Sequence, residues 1–281
     1  MAISISSMMV HNEPTSLPII QEARLPETLL ENLERHIPYN SDVIMNIPGA
    51  LGAFCLNDAG MEQVRKSSII SNVLKVFSDV NFIRILQEGD VTGSFGASLD
   101  EFMRHFPAVK EPIMDQIILM LRGVLEMGQL DSPIVRVNPG NTFLLRTAAE
   151  EEIKPYYDDF YGMMLESVTT FLEGLLEQRA HSTMFIDRGG WDLITQAISS
   201  PLLPFNFVKS RTFESLHGLS STLLDTAPER VFKALFKVAS NNLNASATAE
   251  QTWCGAKYLE LAKAADLTDA EYQAANKELH Y

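Results

Sequence analysis

The chain has 281 residues, of which 46% are hydrophobic and 21% charged, so it is long enough for one large or two small domains and has the composition of a folded protein. Its 36 Asp and Glu residues outnumber 22 Lys and Arg residues, and the formal net charge of -14 repels phosphate, which excludes nucleic acid as an expected partner. Two cysteines, Cys55 and Cys254, are too few for a disulfide framework, which favours a reducing compartment, cytoplasmic or nuclear.

The first 24 residues are rich in Ser and Pro and show no hydrophobic period, which predicts a flexible N-terminal arm. No basic residue precedes Arg24, so the arm lacks the positive flank of a secretory signal. The most apolar segment, residues 113–127, is interrupted by Asp115 and Arg122, whereas a bilayer span needs about 20 mostly apolar residues. A membrane is therefore not an expected partner.

The first two helix signals follow the arm. Residues 25–37 have an amphipathic pattern that ends at Pro38. Ser41 can cap a second helix that runs toward Cys55, with Pro48 as a kink or break.

Capping boxes mark further helix starts. Residues 87–97 contain three glycines and are predicted to form a loop, after which Ser98 and Glu101 form a capping box for a helix that ends at Pro107. Three more boxes lie at Thr226 and Glu229, Thr248 and Gln251, and Thr268 and Glu271. Four such signals predict an all-helical chain.

Two segments, residues 113–127 and 160–176, are apolar nearly all round. A helix without a polar face must be covered on several sides, so both are predicted to form the inner layer. Their methionines could instead form a plastic binding groove, but core packing is the favoured interpretation. The helix that contains residues 160–176 is predicted to run from residue 154 to 178.

One signal is not helical. Residues 134–137 and 142–145 are short β-type runs around the turn sequence NPGN, which predicts a small β-hairpin insertion at 134–145. A two-stranded hairpin is marginal alone, so it is expected to pack on a helix or to stay mobile.

Residues 183–194 have the pattern of a helix end, a sharp turn at Gly189 and a new helix, and residues 62–74 resemble them loosely. This is the connection found in armadillo-type repeats, where glycine permits the positive φ that ends a helix. The period is not clean, but the whole pattern predicts an all-α, armadillo/HEAT-like α-solenoid.

The predicted domain organisation has three parts. An arm at residues 1–24 precedes an armadillo-like helical domain at 25–240, and a break near 240–249 separates a C-terminal helix pair at 241–281.

Neither a metal nor a cofactor is predicted. The histidines do not pair at helical spacing and form no H-E-x-x-H motif; they are His11, His36, His105, His181, His217 and His280. Gly89, Gly93 and Gly96 lack the Lys-Ser/Thr of a phosphate-binding loop.

No catalytic residue is predicted either. The acidic residues 150–152 and 158–159 could serve acid–base chemistry or bind a cation, but a solvated helix start is the favoured interpretation. Cys55 and Cys254 could be thiolate nucleophiles, but their apolar surroundings are typical of small buried side chains. An enzyme would need buried His or carboxylate groups around a cleft.

Three segments carry a resemblance to a known family. Residues 47–60 (IPGALGAFCLNDAG), residues 98–107 (SLDEFMRHFP) and residues 184–207, which begin MFIDRGG and end LPFNF, are similar in order and spacing to segments of giant HECT-type E3 ubiquitin ligases of the HUWE/TOM class. The similar region is the helical domain of unknown function in their N-terminal half. It covers roughly residues 25–240, and the pattern departs after Phe207.

The resemblance implies an armadillo-like segment of a ligase that holds and orients protein substrates. The family's catalytic cysteine lies in a C-terminal HECT domain, which is absent here, and the surroundings of Cys254 do not match its motif. No catalytic role is carried over, and the binding residues are unknown. The expected partners are ligase substrates or neighbouring helical repeats, with self-association through uncapped ends. An independent armadillo-like adaptor without a ubiquitin role is the alternative.

Overall fold

The computed structural model describes residues 5, 8–10, 12–128, 134–136, 143–145, 154–156, 160–200, 203 and 207–253. The chain divides into two compact units, Met1–Ala234 and Leu235–Tyr281, and the described part of the second unit is helical. Among the described residues, every helix is too short or too polar to span a bilayer.

The α-helices of the described residues are α1 (Leu17–Glu22), α2 (Leu25–Arg35), α3 (Ser41–Phe54), α4 (Asp58–Lys66), α5 (Ile69–Lys75), α6 (Ile83–Leu86), α7 (Val91–His105), α8 (Lys110–Met127), α9 (Phe160–Leu175), α10 (Arg179–Asp187), α11 (Gly190–Ala197), α12 (Arg211–Thr226) and α13 (Pro228–Trp253). Short 3-10 turns lie at Pro14–Ser16, Val76–Ser78, Val80–Phe82, Pro107–Val109 and Phe207–Lys209. Three strands follow α8: β1 (Ile134–Arg136), β2 (Phe143–Leu145) and β3 (Lys154–Tyr156).

The helices of the first unit form two rows. In one row α3 packs on α7, α7 on α9 and α9 on α12, and in the other α2 packs on α5, α5 on α8 and α8 on α11. Both rows follow the order of the chain, as expected where successive helical units stack only on their neighbours. The predicted all-α solenoid class is therefore confirmed.

The two apolar helices lie in the core as predicted. Helices α8 and α9 bury most of their large apolar side chains. Phe171 of α9 meets Phe77 and Phe95 with ring centroids 4.8 and 5.6 Å away. Each fully buried aromatic or aliphatic side chain contributes about 1.5–3 kcal/mol to folding, so this layer is the main stabilising element.

Glycines let α7 and α9 approach closely. A Cβ atom on Gly96 would lie 2.2 Å from the carbonyl oxygen of Phe171, and one on Gly174 would lie 2.7 Å from the carbonyl oxygen of Gly93. Any larger residue at Gly96 or Gly174 would push the two helices apart.

The loop predicted at residues 87–97 is therefore wrong from Val91 onward, because glycines taken as turn residues serve helix packing. Only Gly89, with φ +53°, lies in a turn. The capping box at Ser98 lies inside α7 and does not mark a start. Of the other boxes, Thr226 ends α12, Thr248 lies within α13, and Thr268 lies outside the described residues.

The β pairing predicted at 134–145 is present, with a third strand added. β1 pairs antiparallel with β2, placing Val135 opposite Leu144, and β2 pairs antiparallel with β3, placing Leu144 opposite Pro155. The helix predicted to start at residue 154 starts instead at Phe160. Proline cannot donate to a central ladder, and Pro155 accordingly lies in an edge strand.

A side-chain hydrogen bond defines the start of α3, and a glycine with positive φ defines the turn before α11. Asn40, not Ser41, caps α3, because its side chain accepts a hydrogen bond from the backbone N–H of Val43 at 3.0 Å. Helix α3 continues through Pro48 to Phe54. The predicted turn between α10 and α11 is confirmed, since Gly189 has a φ of +77°.

The structure differs from the predicted organisation in the N-terminal arm and at the break predicted near residues 240–249. Within the predicted arm, Leu17 and Ile20 of α1 are buried in a cluster with Val10 and Ala53. Helix α13 runs without interruption through residues 240–249, where a break was predicted. Most of the predicted C-terminal helix pair lies outside the described residues, and the domain boundaries stay predictions.

Candidate functional site

An open apolar groove lies between the C-terminal parts of α3 and α7, with a volume of about 560 Å³. We name it the α3–α7 groove. Its lining consists of Pro48, Gly49, Gly52, Ala53, Leu56, Ser98, Glu101, Phe102, His105 and Phe106. An open groove of this size can accept side chains of a protein segment.

Aromatic rings and small residues shape the groove. The rings of Phe102 and Phe106 have centroids 5.3 Å apart. Both rings lie beside Gly52, 3.7 and 3.8 Å from the position that a Cβ atom on this glycine would occupy. Leu56, just past the end of α3, is 54% exposed and offers an uncovered apolar side chain at the rim.

The polar part of the lining is small. Glu101 is exposed, and the Nδ1–H of His105 donates to the Glu101 carbonyl oxygen at 3.0 Å. Helix α3 ends at Phe54 and α7 ends at His105, so both helices bring the negative end of their dipoles to this part of the groove.

Two of the three segments that carried the family resemblance meet at this groove. Residues 47–60 supply its α3 side and residues 98–107 its α7 side. The sequence alone assigned them no binding role. No pattern in either segment indicates that they lie side by side.

Other residues of these segments serve the fold. The Asn57 side chain accepts a hydrogen bond from the Gly60 N–H at 2.8 Å and so caps α4. A Cβ atom on Gly60 would lie 1.8 Å from the carbonyl oxygen of Phe54. In the third segment, a Cβ atom on Gly190 would lie 2.3 Å from the ring of Phe185.

A buried polar group links α7 and α10. Asp100 is 5% exposed and His181 is 1% exposed, and the His181 Nδ1 lies 2.6 Å from Asp100 Oδ1. The Arg104 Nε donates to Asp100 Oδ2 at 2.9 Å, and His181 Nε2 has no hydrogen-bond partner among the described residues. The pair lines neither of the two cavities described in this section.

A second cavity, of about 640 Å³, lies around the exposed ring of Tyr39. The Tyr39 ring stacks on Phe82 with centroids 4.5 Å apart. Four charged residues line this cavity, namely Glu34, Arg35, Lys75 and Asp79, and their formal charges cancel. It is the more polar of the two cavities.

Of the two candidate nucleophiles named from the sequence, Cys55 lies among the described residues. Cys55 is buried, and burial raises the pKa of its thiol to about 12, so the thiolate is not formed at neutral pH. Within the described residues, no group of three or more His, Cys, Asp or Glu side chains could hold a metal ion. Cys254 and the acidic residues at 150–152 and 158–159 lie outside those residues.

The N-terminal part of the chain is similar to a described protein family. Residues 1–138 match the family described as Domain of Unknown Function (DUF913). This match covers about half of the chain. Both sides of the α3–α7 groove lie within the matched residues.

The relatives of the chain are large ligases. It is 30% identical over 232 residues, 83% of its length, to the E3 ubiquitin-protein ligase ptr1 of Schizosaccharomyces pombe. It is 26% identical over 182 residues, 62% of its length, to the E3 ubiquitin-protein ligase TOM1 of Saccharomyces cerevisiae. It is 24% identical over 235 residues, 76% of its length, to the E3 ubiquitin-protein ligase UPL1 of Arabidopsis thaliana.

The matched regions span 7% of ptr1 and 6% each of TOM1 and UPL1. The resemblance to a helical domain of large E3 ubiquitin ligases is thereby confirmed. The similarity to ptr1 extends beyond the residues that match DUF913, because it covers 232 residues and the family match covers 1–138.

Proposed function

We propose that this chain is a non-catalytic, armadillo-like scaffold segment of a HECT-type E3 ubiquitin-protein ligase, and that it binds protein substrates for ubiquitination in the cytoplasm or nucleus. The observation that carries the proposal is the α3–α7 groove, an open apolar surface within the residues that match DUF913. The names of the relatives support the ligase context.

The mechanism is display on a rigid surface. Helices α3 and α7 pack directly on each other, so the spacing of the groove walls is fixed before a partner arrives. A preformed site loses little conformational entropy on binding. Leu56 and Phe106 then supply apolar contacts, and each Å² of apolar surface removed from water contributes about 25 cal/mol. Neither a cofactor nor a metal enters this mechanism.

The chain offers a matched pair of variants for a test. Leu56 at the groove rim is 54% exposed and Leu119 on α8, outside the groove, is 56% exposed. Because both side chains are exposed, Leu56→Ser and Leu119→Ser should leave the fold intact.

The experiment captures proteins from a cell extract on the purified chain, and then measures the binding of each purified candidate to the two variants. We expect a substrate to bind Leu56→Ser about tenfold more weakly, which corresponds to about 1.4 kcal/mol, and Leu119→Ser unchanged. Its ubiquitination in cells should depend on the parent ligase. A partner that needs Leu56 but is ubiquitinated independently of the ligase would favour the independent adaptor, and equal binding to both variants would contradict the groove.

A further inference from the structure

We infer that the α3–α7 groove takes an apolar segment of a partner protein that carries Lys or Arg next to its apolar residues. The inference rests on the proposed function and adds the chemistry of the partner at the same site.

The lining of the groove has a negative formal charge. Glu101 is the charged residue among those that line it, and no Lys or Arg lines it. The nearest cation in sequence, Arg104, is already hydrogen-bonded and ion-paired to the buried Asp100. The groove therefore presents a carboxylate beside apolar surface with no cation of its own to neutralise it.

The backbone dipoles of two helices add to the negative charge at the groove. Helices α3 and α7 are 14 and 15 residues long, and both end at the groove. The C-terminal end of a helix carries a partial negative charge from carbonyl groups that lack intrahelical partners. Two such ends and one carboxylate act in the same direction, and each favours a cation in the occupant.

The cavity around Tyr39 differs from the groove in its formal charge. Its lining has two cations, Arg35 and Lys75, and two carboxylates, Glu34 and Asp79. Its formal charge is therefore balanced, and it offers no comparable preference. The chain's overall charge of -14 adds a long-range attraction for basic segments, which salt screens at distances beyond about 8–10 Å.

Three synthetic peptides test the inference. They share Leu and Phe at helical spacing and differ only in their flanking residues, which are Lys, Gln or Glu. Binding of each fluorescent peptide to the full chain is measured by anisotropy at low and high salt. We expect the Lys peptide to bind about tenfold more tightly than the Glu peptide at low salt, with a smaller difference at high salt.

Variants of the chain test whether the preference for the Lys peptide arises at the groove. Glu101→Gln should lower the preference for Lys and leave the part that comes from the two helix ends. Glu31→Gln, at an exposed site on α2 outside the groove, should leave the preference unchanged. Leu56→Ser should weaken all three peptides alike. Leu119→Ser should weaken none of them.

Each outcome separates the inference from the proposed function. Equal affinities for the three peptides, or a Lys preference as large in Glu101→Gln as in the unaltered chain, would overturn the inference. If Leu56→Ser still weakened all three, the groove would remain a binding surface and the proposed function would stand. Absence of Lys-peptide binding would overturn the inference, while the proposed function would still be decided by the capture experiment with purified partners.

Discussion

At the scale of single residues, Asp100 is a buried carboxylate that links two helices. It accepts hydrogen bonds from His181 on α10 and from Arg104 on its own helix. Because a buried polar group left without its hydrogen-bond partner costs about 1–3 kcal/mol, Asp100→Ala should lower the free energy of unfolding by about 2 kcal/mol in a urea titration. The exposed Asp225→Ala on α12 should change it by less than about 0.5 kcal/mol. Equal effects of the two variants would contradict this role.

Glu173 should make stability depend on pH. It is half-buried on α9, and burial together with repulsion from Glu177 raises its pKa above the usual 4.5. The folded state therefore holds this proton more tightly than the unfolded state, so the stabilising contribution is complete below pH 4.5 and is lost as the pH rises through the raised pKa.

Glu173→Gln tests this sign. The variant should raise the free energy of unfolding at neutral pH by roughly a few tenths of a kcal/mol, since the site is partly exposed, and should have little effect below pH 4.5. Urea titrations at the two pH values, with the exposed Glu31→Gln as control, measure the difference. A gain that is equal at both pH values would contradict the assignment.

At the scale of elements, the close approach of α7 to α9 depends on glycine. Gly96→Ala would place its Cβ 2.2 Å from a carbonyl oxygen, and overpacking of this kind costs about 1–3 kcal/mol. Gly52→Ala on α3 meets only ordinary contacts of 3.7 and 3.8 Å, so it should be neutral or stabilise by up to about 1 kcal/mol. Thermal unfolding of both variants checks this, and a Gly96→Ala protein as stable as Gly52→Ala would contradict the packing.

A sequence pattern predicted the structure correctly where one physical cause was much the best explanation of that pattern. The continuous apolar faces of α8 and α9 favoured burial over a methionine-lined groove, and most of these apolar side chains are buried in the structure. The glycines at 93 and 96 are ambiguous, because glycine suits both a turn and a close helix contact, and the latter is decided by α9, far along the chain. The pairing of Asp100 with His181 across 81 residues, and the meeting of two segments at the groove, are tertiary facts that no local pattern encodes.

At the scale of the whole molecule, exposed apolar side chains near the N-terminus predict self-association. Ile5, Met8, Met9 and Ile19 are each at least half exposed, and exposed apolar surface drives association. Sedimentation velocity should show oligomers that increase with concentration and decrease in Ile19→Lys. A chain that stays monomeric at high concentration would contradict this prediction.

The central claim is that the chain holds other proteins at the α3–α7 groove. Hydrogen–deuterium exchange of the chain, alone and saturated with a purified captured partner, tests it most directly. We predict slower exchange at residues 48–56 and 98–106, with little change in α12. Slower exchange around Tyr39 and Phe82 instead, or unchanged exchange at both sides of the groove, would contradict the account.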